Sequence, residues 1–522
     1  MEISSDLFKA FLECPTKCWL RAAGESPSGN GYADWVESQN GSYRATEIKQ
    51  LLSASPTGEA EVSPPPEDLK AAKWRLAANL AANARMNSCL LESEVHAVER
   101  VPSEGRGRPA QIIPIRFIFT NKLGEDDKLL LSFDTFVLSE MSGRVISFGK
   151  IIHGDDRSAL KVKTAAFSGE VRKRIERIAA LLASPTPPDL VLNRHCSECE
   201  FQNRCRQKAI EIDDLSLLRG MREKERKDLR SKGIFTVTQL SYTFRPRRRP
   251  KRMRDKREKY HHSLKALAIR EKKIHIVGRP ELKVEGTPIY FDVEGLPDRD
   301  FYYLIGVRIG SGDSAAHHSL WADTAADEGK IWREFLGVLA TVEKPVLIHY
   351  GSFETAFLKS MRQRYGGPPD ASVPATAINA AVNLLSLIFG KIYFPTHTNG
   401  LKDIAKFLKF SLSDLTSSGT QSIIWRREWE ESKILTLKQN LITYNSEDCM
   451  ALELVATTVG ELGKPASKTT MGPGEGDVVN VDSLKNQKTK WGNFSSSIPG
   501  FEDINKAAYW DYQRDRVYVR SP

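Results

Sequence analysis

Cysteine is scarce, with seven scattered unevenly over 522 residues, which excludes the disulfide framework of a small secreted domain. Nothing at the N-terminus has the charged, apolar and small-residue order of a signal peptide. A reducing cytoplasm is the expected compartment. Long hydrophobic runs are also missing. The longest, around Ala380–Phe394, is broken by Asn383, Ser386 and Lys391, short of the 18 or more residues a membrane span needs. No membrane insertion is expected. No internal repeat is visible.

What is present is an ordinary globular composition, 40% apolar and 27% charged, in a chain long enough for two or more domains. The net charge of +10 is concentrated. Arg245–Lys259 (RPRRRPKRMRDKREK) holds ten Lys/Arg against two acids, a density that points to a polyanionic partner. Arg245, Arg247, Arg248, Arg249, Lys251, Arg252 and Arg254 are the candidate phosphate contacts. Such runs also occur merely solvated.

Punctuation divides the rest of the chain. Ser53–Asp68 is polar and Pro-rich and reads as a loop, whereas Leu69–Leu91 has Ala-rich helical composition. Lys128–Val137 and Val145–Ile152 read as strands, with a turn at Gly154-Asp155, and Val171–Leu182 as an amphipathic helix. Asp214–Leu240 reads as two short helices around Lys232-Gly233-Ile234, with Thr236 as cap of the second. This resembles the helix-hairpin-helix module, whose glycine turn, here Gly233, presents N–H groups to phosphates. An ordinary helical linker is the alternative. From Thr287 three strands are expected (Ile289–Val293, Tyr302–Ile309, Ala316–Trp321), then a helix (Glu328–Val342), a strand (Val346–Tyr350) and a helix (Phe353–Tyr365). That order describes an α/β sheet with an antiparallel portion. Pro465–Asp477 reads as a flexible connection, and Gly500–Arg520 alternates charges and aromatics without suggesting a function.

Asp292 and Glu294 lie two apart in an apolar strand, so the strand period places both carboxylates on one face. Alone, Asp-x-Glu is also what two solvent-facing strand residues look like. Acids in an otherwise apolar strand are costly unless they bind something. Glu354 follows the strand ending at His349-Tyr350, where α/β sheets keep their ligands, although an acid in a helix's first turn also complements the dipole. Tyr444 and Asp448 are four apart on an expected helix, Lys438–Val459, and share one face. Carboxylates suit Mg²⁺ or Mn²⁺, whereas zinc prefers His or Cys. His349 reads as a strand-end core residue, and His397, in the loop Pro395–Gly400, could alternatively touch substrate.

In this order and spacing the residues resemble the DEDD 3′–5′ exonucleases of the DnaQ-like, ribonuclease-H-like fold, tyrosine subclass, in particular the YprB-type domain, over roughly Thr287–Gly460. The resemblance implies that Asp292, Glu294 and Asp448 hold two divalent cations, with Glu354 where most relatives have aspartate, and that Tyr444 orients the attacking water.

Cys196-Ser197-Glu198-Cys199, Cys205 and the remote Cys14 offer four thiolates for a [4Fe–4S] cluster or a zinc ion. Cys89 and Cys449 read as buried small residues. The cysteine arrangement resembles the RecB-like nucleases with an iron–sulfur staple, over about residues 1–210, with Cys14 preferred to Cys18 because proline follows it. That family's motif implies Asp134 as first acid and Lys150 as lysine, but Phe148 stands where the second carboxylate is required. The front domain therefore reads as a degenerate nuclease of the PD-(D/E)XK-like class, its cluster structural.

The expected architecture is α/β and multidomain. It comprises a RecB-like domain (1–210), a helix-hairpin-helix-like segment (211–244), a basic linker (245–286), a ribonuclease-H-like exonuclease domain (287–460) and a tail of unassigned role (461–522). The expected function is metal-dependent hydrolysis of DNA or RNA. The alternatives are a catalytically inactive nucleic-acid-binding adaptor, or a front domain that cuts while the rear one is inert.

Overall fold

The computed structural model describes residues 1–65, 74–102, 110–246, 260–413, 418–463, 478–484 and 500. The chain divides into two compact units, Met1–Arg206 and Gln207–Pro522.

The front unit runs β1 (Glu2–Ser4), α1 (Ser5–Glu13), α2 (Pro15–Ala22), α3 (Gly31–Ala54), β2 (Ala60–Val62), β3 (Leu76–Met86), β4 (Cys89–Val101), β5 (Gln111–Ile118), α4 (Glu125–Ser142), β6 (Gly149–His153), β7 (Ser158–Val162) and α5 (Ser168–Ala183). Its seven strands form one sheet in the order β2-β3-β4-β5-β6-β7, with β1 added parallel beside β4. Helix α4 packs one face through Leu130, Phe133 and Val137, while α3 covers the other over Leu76, Ala97, Ile115 and Phe117. The expected helix Val171–Leu182 lies within α5.

Four local expectations are corrected here. Leu69–Leu91 is not helical: from Leu76 onward it is β3, a two-residue turn and the start of β4. Leu80, Ala82, Ala84 and Met86 are buried between exposed Ala81, Asn83 and Arg85, a period of two that outweighs alanine's helical preference. Asn87, with φ of 54°, makes the turn. Lys128–Val137 is not a strand but the middle of α4, whose residues Leu129–Leu138 are all buried. Buried on every side, it carries no periodicity to separate buried helix from buried strand. The signals that do separate them are three acids in the first turn, Asp127 capping the Gly124 N–H at 2.7 Å, and Gly143 ending the helix at φ 64°. Lastly, the strand expected from Val145 begins at Gly149, and the Ser53–Asp68 loop is interrupted by β2.

The rear unit begins within α6 (Gln202–Glu211), and continues with α7 (Glu223–Arg230), α8 (Val237–Ser241), α9 (His262–Glu271), β8 (Ile274–Ile276), β9 (Thr287–Leu296), β10 (Phe301–Ile309) and β11 (Ala316–Trp321). There follow α10 (Glu328–Thr341), β12 (Pro345–His349), α11 (Phe353–Tyr365), α12 (Val373–Asn379), β13 (Val382–Asn383), α13 (Leu384–Ile388) and β14 (Ile392–Tyr393). The unit closes with α14 (Leu401–Phe407), α15 (Gly419–Ser432), α16 (Leu435–Leu462) and β15 (Val478–Asn480). Its main sheet is ordered β11-β10-β9-β12-β13; the first three strands are antiparallel and β12 and β13 run parallel to β9.

Central strand β9 is covered on both faces. Ile289, Phe291 and Val293 join Ile331, Trp332, Phe335 and Leu339 of α10. Tyr290 faces the other way, among Ala451, Leu452 and Val455 of α16. Asp292 and Glu294, in phase with Tyr290, therefore face α16 rather than solvent. The basic residues Arg247, Arg248, Arg249, Lys251, Arg252 and Arg254, all of Pro465–Asp477, and the tail beyond Gly500 lie outside the described residues.

Candidate active site

The acid site is built from the middle of β9, the middle of α16 and the starts of α14 and α15. Asp292, Glu294 and Asp448 each bring a carboxylate oxygen within 4.8 Å of the other two. Residues more than 150 positions apart thus share one small volume.

Two of the three acids are held by neighbours that no motif announced. Asn445, fully buried one turn before Asp448, donates from Nδ2 to Asp292 Oδ2 at 2.8 Å and to the Asp292 carbonyl at 3.2 Å. Ser422 Oγ donates to Glu294 Oε2 at 2.8 Å. Helix α15, which carries Ser422, is pinned by Arg426. This fully buried guanidinium donates to the carbonyls of Ala322 and Asp323 at 3.0 and 2.7 Å amid the rings of Phe301, Tyr303, Trp321 and Trp429. Gly306, paired with Asp292 across the β9–β10 ladder, leaves the space that Asn445 fills. A Cβ there would stand 1.9 Å from Asn445 Oδ1. The sequence signal for it was faint, a glycine inside a strand, which marks close approach of another group.

Asp448 Oδ1 is buried without a hydrogen-bond partner; Lys402 Nζ lies 3.6 Å away and also 3.8 Å from the centroid of the Tyr444 ring. An orphaned oxygen within an all-carboxylate donor set is what a hard divalent cation requires. The residues present fit Mg²⁺ or Mn²⁺.

Glu354 is buried at the start of α11 but stands outside the group of three. Its Oε2 has no hydrogen-bond partner and lies 3.6 Å from Nδ1 of His349, itself buried against Phe291. Tyr444 is on the site face of α16, its hydroxyl pushed far up by burial and then by Glu294, Asp448 and Asp292. It stays protonated. His397 contributes its carbonyl to the Arg219 N–H at 3.4 Å.

Burial, and then Asp448, Glu294 and Glu354, raise Asp292 well above the carboxylate range, and burial pushes Glu294 up to about 8. Asp448 rises to about 6, held lower by Lys402. A carboxyl whose folded pKa is raised binds more protons folded than unfolded. Its contribution to stability is complete below the unfolded pKa and is lost as pH rises through the folded one. The metal-free protein is therefore expected to lose stability at this domain from about 4.5 to about 8, the two limits for Glu294. Thermal unfolding in chelator at about pH 5 and about pH 9 checks this. Magnesium should restore the loss at high pH, and Glu294→Gln should flatten the dependence; a profile that rises with pH contradicts the assignment.

In the front unit, Cys14, Cys196, Cys199 and Cys205 are free thiols lining one small cavity, whereas Cys18 packs in the apolar core. The N–H groups of Asn193 and Phe201 donate to the sulfurs of Cys196 and Cys199 at 3.2 and 3.4 Å. Asp134 and Lys150 do not meet. Asp134 sits on helix α4, not a strand, and its carboxylate takes a two-pronged bond from Arg116 plus the hydroxyls of Ser93 and Ser5. Lys150 pairs in register with Ile115, on the α3 side of the sheet, and bonds Glu99. Arg116, one residue on, points to the opposite face, which is why the two cannot form one site.

Among the phosphate candidates, Thr236 does cap α8, and Gly233 turns at φ 76°. The Gly233 N–H is taken by the Arg230 carbonyl, and Arg245 bends back onto the carbonyls of Tyr242 and Phe244. No helix among the described residues is long and apolar enough to cross a membrane.

Residues 289–459 match the RNase_H_2 family model, of the RNase_H superfamily. No curated protein matches the chain. The matched region begins within β9 and ends within α16, and so contains every acid of the site.

Proposed function

We propose that this chain is a metal-dependent nuclease whose ribonuclease-H-like domain removes nucleotides from the 3′ end of DNA or RNA. The observation that carries the reading is the convergence of Asp292, Glu294 and Asp448 within 4.8 Å, inside a region matching a nuclease superfamily. Two divalent cations, when bound, would supply an activated water and neutralise charge on the attacking and leaving oxygens. Asp292, Glu294 and Asp448 would hold them, with Glu354, whose Oε2 is buried and unpartnered, on the second. Asn445 and Ser422 fix the rotamers of Asp292 and Glu294, which lowers the reorganisation needed at the reacting centre. Tyr444, protonated, orients water through its hydroxyl and does not act as a base.

The basic segment would retain the polyanion, giving binding that weakens steeply with salt. The front unit is read as a RecB-like fold without a cutting site, closed by a [4Fe–4S] cluster on Cys14, Cys196, Cys199 and Cys205. Support comes from the shared cavity and the N–H···S bonds. Analysis of the protein for iron and sulfide against zinc separates the two metals that four thiolates accept.

The test of the nuclease reading is digestion of end-labelled single and double strands by the full chain, in magnesium and in chelator. Magnesium-dependent shortening from the 3′ end is expected. The adaptor reading draws on one observation, that Glu354 faces His349 rather than joining the other acids. Tight, salt-sensitive binding with no cleavage in any divalent metal would replace the first reading by the second.

A further inference from the structure

Lys402 belongs to no motif in the chain, yet it is placed with care. The stretch before it, 394–400, is clamped by Lys265, a 1% exposed residue of α9 whose Nζ donates to the Phe394 carbonyl at 2.9 Å and to Asn399 Oδ1 at 2.8 Å. Thr396 Oγ1 and the Thr398 carbonyl complete the surround at 3.2 and 3.4 Å. Tyr350 donates to the Asn399 carbonyl at 2.5 Å, and Thr398 bonds Asp403. Helix α14 then packs on α16, with Ile404 and Ala405 buried in the same core as Leu452 and Val455. The Cα of Lys402 is thereby held against the face of α16 that carries Tyr444 and Asp448.

From there Nζ reaches 3.6 Å from Asp448 Oδ1 and 3.8 Å from the Tyr444 ring centroid, while 29% of its side chain is exposed against 8% for Asp448. A single positive charge stands where three carboxylates would otherwise repel one another. A divalent ion on Asp448 would be repelled by an ammonium so near, and lysine's flexible four-carbon stem lets the charge move while the backbone stays. On the nuclease reading, the substrate brings to the metals an acceptor suited to such an ammonium, a phosphate.

Resting on the nuclease reading above, we propose that Lys402 is a positioning residue: it stands in for a cation beside Asp448 in the metal-free site and passes to a substrate phosphate oxygen once metal takes the carboxylates.

The experiment compares the full chain with Lys402→Met, Lys402→Arg and Asp448→Asn. Mn²⁺ binding is followed by electron paramagnetic resonance at a pH above the Glu294 titration. A single-stranded oligonucleotide is titrated in Ca²⁺, where binding is read without turnover. Lys402→Met is expected to bind Mn²⁺ several-fold more tightly and the oligonucleotide several-fold more weakly, with Lys402→Arg close to wild type in both. Unchanged or weaker Mn²⁺ binding in Lys402→Met overturns the proposal, as does unchanged oligonucleotide binding. Should the methionine variant not fold, Lys402→Gln is read by the same criteria. The two readings fail differently. If Asp448→Asn binds Mn²⁺ as wild type does, the metal site itself is wrong; if it loses Mn²⁺ while Lys402→Met is unchanged, only the lysine's role falls.

Discussion

An Asp292→Asn chain is expected to digest strands about 10³-fold or more slowly in magnesium, yet to be more stable than wild type in chelator. Asp448, Glu294 and Glu354 each raise the pKa of Asp292, after burial. Without metal that repulsion is a cost of the folded state. An amide of the same shape removes it and leaves Asn445 Nδ2 an oxygen to which it can donate. With metal the order reverses, because ligand binding to the native state alone raises stability with concentration. Wild type should show a magnesium-dependent rise in its unfolding temperature and Asp292→Asn little or none. Unimpaired digestion by Asp292→Asn would remove the basis for assigning catalysis to this domain.

Gly306→Ala should be damaging out of proportion to its size, although residue 306 brings no side chain to the site. The added methyl would lie 1.9 Å from Asn445 Oδ1, 2.9 Å from its Cγ and 3.1 Å from Cys449 Sγ. Asn445 is fully buried, so either its amide leaves Asp292 or α16 moves off the sheet and takes Tyr444 and Asp448 with it. Overpacking of this kind costs about 1–3 kcal/mol, and a displacement of about 1 Å at the reacting groups lowers rate by about 10²-fold. The pair of variants separates the two effects. Adding Asn445→Ala to Gly306→Ala restores room and should recover most of the stability, but not the activity, because Asp292 still lacks its amide. Denaturant unfolding read beside strand digestion checks this. Full activity in Gly306→Ala would show that the contact between β10 and α16 does not position the acids.

Which parts of this site were legible in advance follows from the range of the interactions involved. Asp292 with Glu294, and Tyr444 with Asp448, are relations of two and four residues along a strand and a helix, so backbone periodicity alone sets their faces. The order of strands and helices from Thr287 to Tyr365 was legible likewise, because alternation and turn residues are written locally. The α4 segment was misread as strand because a helix buried on every side has no polar face to reveal its period. Strand β3 was misread as helix because alanine's preference is weak beside a paired neighbour strand.

By itself, then, the chain determined the element types where one face meets water, the concentration of basic charge in one segment, and the acids' membership of common faces. Only the tertiary structure decided that Asn445 holds Asp292, that Ser422 holds Glu294, that Lys402 stands at Asp448, that Glu354 faces His349, and that Asp134 and Lys150 lie on opposite sides of a sheet. Those outcomes depend on how α14, α15 and α16 cross β9 and β10, and on which side of β5 each neighbour packs. Such crossings are set by the summed packing of many buried side chains far apart in sequence, and no local pattern encodes them.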